Sequence, residues 1–172
     1  YWNKADVSVP GVAMTVVMEG SVPFVAEIQG LANATSFPYP RRTARGIDIN
    51  KVHLLVAVLE RRGGIPSSSF DIYMNVTGGL VIKDPGADLA VAVALASSVC
   101  DRSLPADCCF LGEVGLAGEI RPVGRIGTRL REAARLGFKR AIVSAQQKGE
   151  YPHEMDIRAV RTLRDVLKEV MP

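Results

Sequence analysis

The chain has 172 residues, is 48% hydrophobic and carries a net charge of +3. That is enough to bury roughly 70% of the surface its unfolded form would expose, so it predicts one domain over 1–172. No apolar run approaches the roughly 20 residues of a membrane span, and YWNKADVSVPG lacks the charged-then-apolar layout of a signal peptide, which predicts a soluble, unexported, cytoplasmic protein with no membrane partner. Because the first residue is Tyr1 rather than Met, the expectation is a piece of a longer protein.

In chain order, GVAMTVVMEGSVPFVAEIQGLAN alternates apolar and polar residues on either side of Glu19-Gly20-Ser21 and predicts a β-hairpin. Pro38 and Pro40 break the chain before Arg41. From Asp48 or Asn50 to Arg62, the residues Val52, Leu55, Val56 and Leu59 recur at helical spacing, with Gly63-Gly64 as the stop. FDIYMNV reads as a strand that kinks at Gly78-Gly79. Asp84-Pro85 supplies an N-cap and a first-turn proline for GADLAVAVALASSVC, whose alanines let another backbone approach closely and so predict a central, buried helix.

Two short extended pieces flank the turn Leu116-Ala117-Gly118. A helix from Ile126 to Leu136 with Gly137 as its stop, a strand from Arg140 to Ala145, and a closing strand and amphipathic helix in DIRAVRTLRDVLKEV complete the chain. Strands come first and a mixture follows, with no regular βαβ repeat, which predicts an α+β fold.

Charge is unevenly spread. Arg121, Arg125, Arg129, Arg131, Arg135, Lys139, Arg140 and Lys148 face the single acid Glu132, and a second cluster comprises Arg41, Arg42, Arg45, Lys51, Arg61 and Arg62, offset by Asp48 and Glu60. Such clusters suit a polyanion or an acidic partner, and equally a solvated helix face.

Most chemical motifs fail. The glycines from Gly112 to Gly127 do not follow G-x-G-x-x-G and no G-K-[ST] occurs, so no P-loop is present. His53 and His153 stand alone and read as structural or surface residues, and Cys100, Cys108 and Cys109 lack C-x-x-C spacing and read as reduced, buried apolar side chains. No metal site is predicted. A Ser-His-Asp triad is not excluded by spacing, but no serine sits in a G-x-S-x-G elbow.

The Asp84-Pro85-Gly86 turn opens a helix, and a helix N-terminus offers unpaired N–H groups to an anion or an oxyanion. A serine there with a neutral lysine would make a Ser-Lys hydrolase. Gly86 has no side chain to attack with, so helix capping accounts for Asp84 and Asp88.

GADLAVAVALAS followed by GEVGLAGEIRPVGRIGTRLREAARLGFKRAIV resembles the proteolytic domain of the Lon family. There, a serine opens the Ala-rich helix and a lysine lies on the helix after a G-E-I/V…G…P-I/V-G hairpin. Matching residues include Ala87, Ala92, Ala94, Leu95, Ser97, Gly112, Glu113, Leu116, Gly118, Pro122, Gly124 and Leu130. ADLAVAVALASS, FLGEVGLAGEIRPV, REAARLGFKRAIV and VVMEGSVPFVAEIQGL further resemble the C-terminal Lon-like domain of the RadA (Sms) family of bacterial DNA repair proteins, over nearly the whole chain.

The resemblance implies the Lon proteolytic-domain fold, related to the second domain of ribosomal protein S5. It also implies a zinc finger and a RecA-like, DNA-dependent ATPase upstream, so zinc, ATP and magnesium are expected there and no cofactor in this chain. The dyad positions fall on Gly86 and Arg129. Arginine stays protonated with a pKa above about 12, so neither nucleophile nor base is present, no peptidase activity is expected, and both would have to be restored together.

The resemblance further implies a non-catalytic scaffold expected to support a hexameric ring and to bind DNA, double- or single-stranded, without sequence preference, with a recombinase as a further candidate partner. The DNA-binding candidates are Arg121, Arg125, Arg129, Arg131, Arg135, Lys139 and Arg140, with Arg41, Arg42 and Arg45 as a secondary cluster, although each arginine also suits a surface or intersubunit ion pair. The alternatives are a pure assembly module, or a peptidase with a displaced nucleophile. For the latter the nearest hydroxyls, Ser97 and Ser98, lie on the order of 16 Å along the helix from Gly86.

Overall fold

The computed structural model describes residues 9–149 and 151–172; most of the amino-terminal stretch weighed above as a leader lies outside them. The predicted hairpin is β1 (Val12–Glu19) and β2 (Val22–Ala34), turning at Gly20 with φ +61°. There follow β3 (Arg42–Arg45), α1 (Ile49–Gly63), β4 (Phe70–Val76) and α2 (Asp88–Cys100). Next come β5 (Cys108–Phe110), a hairpin of β6 (Glu113–Val114) with β7 (Ile120–Arg121), and α3 (Ile126–Arg135). Strands β8 (Arg140–Ser144) and β9 (Asp156–Val160) then precede α4 (Leu163–Val170).

Seven strands form one mixed sheet in the order β3-β4-β2-β1-β5-β8-β9. β4, β2 and β1 are antiparallel neighbours; β1, β5, β8 and β9 run parallel, as do β3 and β4. Mixed strand directions and helices on both faces agree with the α+β expectation at the level of class. β3 escaped the sequence reading because a four-residue Arg-Thr-Ala-Arg strand carries too short a pattern to register.

The strands' alternation feeds two cores. α1, α2 and α4 pack over one face with Ala13, Ile28, Ile72, Phe110 and Ile142, while α3 covers the opposite face at Met14, Val16, Cys109, Leu111, Ala141 and Val143. α2 is the predicted central helix, buried without a break from Asp88 to Ser97. It lies so near β2 that a Cβ at Gly30 would stand 3.3 Å from the Ala94 carbonyl oxygen, which is why small residues occupy that crossing. The sheet order therefore brings the start of α2, the middle of β1 and the inner side of α3 to one place.

Candidate functional site

The two dyad positions meet at that place. A Cβ built on Gly86 would lie 2.9 Å from Nη1 of Arg129, although 43 residues separate them in the chain.

The site is closed. Arg129 is 4% exposed and grips Asp84, with Nη1 2.6 Å from Oδ2 and Nη2 3.3 Å from Oδ1. Its remaining donors reach the carbonyl oxygens of Val16 at 3.0 Å and Gly124 at 2.8 Å. One side chain therefore ties β1, the entry to α2 and the entry to α3 together.

Asp84 answers with two further bonds, accepting the N–H of Met18 at 2.9 Å and that of Gly86 at 2.9 Å. Burial pushes its pKa up, but the Arg129 hydrogen bond, the two backbone N–H groups and the Arg129 charge together hold it below the usual carboxylate range. It is ionised at neutral pH, opposite a cation that never deprotonates.

The helix N-terminus offers nothing to an anion. The N–H of Gly86 goes to Asp84 Oδ1, that of Ala87 to the Asp84 carbonyl, that of Asp88 to the Pro85 carbonyl and that of Leu89 to the Gly112 carbonyl. An oxyanion hole needs free donors, and the first four here are all taken.

The expected capping role of Asp84 holds, since it caps a 3-10 turn over Pro85–Ala87. Asp88 needs correcting. It is buried in the first turn of α2, accepts the N–H of Val114 from β6 at 3.3 Å and pairs with Lys51 of α1 at 3.2 Å, so it joins three elements rather than capping one. Burial raises its pKa, with the Lys51 charge opposing.

The displaced-nucleophile candidates are structural. Ser97 is fully buried, donates to the Arg102 carbonyl and accepts the Gly11 N–H at 2.8 Å, while Ser98 accepts the Ala32 N–H at 2.9 Å. No acid, lysine or histidine is among these partners. His53 and His153 are exposed; Cys108 and Cys109 are buried, with burial pushing the Cys108 thiol up to about 12. Among the described residues, no group of three or more His, Cys, Asp or Glu is arranged to hold a metal ion, and no helix is long and apolar enough to cross a membrane.

The basic candidates separate into paired and unpaired. Arg129 is withdrawn from the expected basic face of α3 altogether. Arg121 pairs with Glu119 at 3.2 Å and Arg135 with Glu132 at 2.8 Å, both at the surface. Among the described residues Arg125, Arg131, Lys139 and Arg140 make no ion pair, and all but the half-buried Arg140 are exposed. In the second cluster, Arg41, Arg42 and Arg45 likewise lack a carboxylate partner among the described residues, while Lys51 is spent on Asp88. Sequence reasoning missed the role of Asp84 as counter-ion, because a capping motif gives no sign of a partner 45 residues away.

The chain is similar in sequence to known proteins. Residues 58–172 match the Lon protease (S16) C-terminal proteolytic domain. The chain is 52% identical over 136 residues to DNA repair protein RadA of Bacillus subtilis, a match covering 78% of this chain and 30% of that protein. The corresponding values are 48% over 139 residues for RadA of Synechocystis, covering 81% and 28%, and 42% over 168 residues for RadA of Escherichia coli, covering 97% and 36%. The chain thus spans about a third of the length of these curated relatives and corresponds to their C-terminal region.

Proposed function

This chain belongs to the Lon protease C-terminal proteolytic domain family, and from that membership we propose that it is a catalytically silent member serving DNA repair as a scaffold for ring assembly and DNA binding. The observation that carries the reading is the internal ion pair. Where a serine and a neutral lysine would face each other, the chain places Gly86 against an Arg129 locked to Asp84, with every nearby helix N–H already bonded.

By the same reading the fold is that of the Lon proteolytic domain and of the second domain of ribosomal protein S5, and the parent protein is a cytoplasmic, DNA-dependent ATPase. Its zinc finger and RecA-like module, with their zinc, ATP and magnesium, lie upstream. Hexameric assembly and a recombinase partner belong to that whole protein.

Duplex phosphates are met by the unpaired cations of the α3 side, Arg125, Arg131 and Lys139, with Arg140 beside them and with the exposed Arg121 and Arg135 able to exchange their half-buried carboxylate partners for phosphate. Such binding is independent of sequence and steeply salt-dependent. Titrating labelled duplex DNA over a salt series tests it. Affinity at low salt that drops when Arg125, Arg131 and Lys139 become alanine supports the reading; no affinity at low salt reduces the chain to an assembly module. A serine-reactive phosphonate probe tests the silence of the centre, and site-specific labelling would overturn it.

A further inference from the structure

We propose that the loop joining β2 to β3, residues 35–41, is a second nucleic-acid contact that takes unpaired bases by stacking them on Tyr39, an inference resting on the DNA-binding reading above. Tyr39 is 85% exposed, more than any other large apolar side chain among the described residues. A ring so exposed adds almost nothing to the fold. Pro38 and Pro40 flank it and fix their own φ angles, so the loop has little backbone freedom to lose when a ligand arrives.

The neighbours supply the other half of the chemistry. The Arg41 guanidinium lies over the Phe37 ring, 4.0 Å from its centroid, and Phe37 is itself 44% exposed. That stacking keeps a charged guanidinium in the same loop, two residues after Tyr39, without neutralising it. Residues 35–45 contain no acid, and the carboxylate of Asp71 is occupied by the Arg41 backbone N–H at 2.7 Å. Arg42 is tethered to the Ser68 carbonyl at 2.9 Å, and Arg45 lines a groove with Tyr73, Asn75 and Gln29.

Alternating aromatic faces and guanidinium groups are what a single strand requires, because the rings stack on bases while the cations follow the phosphates. A duplex keeps its bases stacked inside and leaves Tyr39 nothing to hold. The loop is also remote from α3. Helix α3 meets β2 in a groove bounded by Phe24, Glu27, Glu132 and Leu136, whereas the loop leaves β2 beyond Ala34, on the order of 25 Å away at about 3.4 Å per residue. The two contacts can therefore be broken separately.

The test measures anisotropy of a labelled oligothymidylate, the same oligomer with its bases removed, and a blunt duplex, on the 172-residue chain. Tyr39→Ala is expected to weaken oligothymidylate binding by about tenfold or more, to leave the duplex within about twofold, and to make the chain indifferent to base removal. Tyr39→Phe should retain affinity. Unchanged oligothymidylate binding by Tyr39→Ala, or wild-type binding of the abasic strand as tight as of the intact one, overturns the stacking loop while leaving duplex binding by α3 intact. Failure to bind any of the three ligands overturns both readings.

Discussion

The centre around Gly86 and the surface of α3 use the same residue type to opposite ends. Arg129 sits four residues after Arg125, which precedes α3, and two positions before Arg131 on the helix, yet it is buried and bidentate, whereas they are exposed and without ion pairs among the described residues. The difference lies in what the sheet brings opposite each side chain. Arg129 meets Asp84 and the carbonyl of Val16, which offset the desolvation of its charge; Arg125 and Arg131 are exposed at the surface, the latter reaching only the Thr128 hydroxyl, at 3.4 Å. A dense basic stretch in a sequence therefore overstates the free charge in the folded molecule.

Arg129→Ala should break the comparison most severely. It leaves the half-buried Asp84 carboxylate without its counter-ion and opens a gap where the guanidinium packed, and a loss of up to about 3 kcal/mol is expected by urea denaturation. Arg131→Ala on the same helix should stay within about 0.5 kcal/mol of the parent. Equal effects at the two positions would remove the distinction.

Gly86→Ser comes next. Its Cβ meets Arg129 Nη1 at 2.9 Å and both Asp84 Oδ1 and Val123 Cγ1 at 3.1 Å, so a destabilisation of about 1–3 kcal/mol is expected from overpacking. Restoring the pair as Gly86→Ser with Arg129→Lys should still yield no hydrolysis of an unfolded protein substrate. Asp84, ionised and held in place by Met18 and Gly86, would keep the introduced ammonium charged and unable to accept a proton. Phosphonate labelling of the introduced serine would show that Asp84 does not govern the site.

Acid provides a gentler probe of the same pair. The folded pKa of Asp84 lies below its ordinary value of 3.8, so its contribution to stability is fully present above that value and is lost as pH falls through the lower folded pKa. The gap in denaturant midpoint between the parent and Asp84→Asn should be constant from neutral pH down to about 5 and should close below 3.8. A gap that persists in acid would mean that the carboxylate charge is not what holds Arg129.

A small change in stability, of opposite sign, is expected at Arg125, which adopts φ +60° as the residue preceding α3. Glycine accepts that conformation freely, so Arg125→Gly should leave stability unchanged or raise it by up to about 1 kcal/mol. Duplex affinity should nevertheless fall, with the slope of log affinity against log salt reduced by about one unit. An unchanged slope would take Arg125 out of the interface and sharpen the contact to Arg131 and Lys139.

Much of the scaffold was legible in the residues themselves. The hairpin at Gly20, the caps at Asp48 and Asp84, and the Ala-rich run of α2 announce themselves through turn chemistry and periodicity, which are local properties. Family resemblance singled out Gly86 and Arg129 as a pair of positions, and the fold puts the two residues in contact. The Arg129–Asp84 pair, the bridging role of Asp88 and the strand β3 were not legible. Each depends on a partner brought up by strand order, and no local pattern marks it. The aromatic and arginine pattern of residues 37–42 was readable, but its meaning rests on exposure, which periodicity cannot give in a loop.

The sequence by itself determined what two positions cannot supply, since Gly86 has no side chain to attack with and an arginine at position 129 is no general base. Tertiary structure alone decided which charges remain available. A guanidinium keeps its charge everywhere, but whether it faces solvent or an internal carboxylate depends on contacts between residues far apart in the chain, and here those contacts enclose Arg129 against Asp84 and leave Arg125, Arg131 and Lys139 exposed.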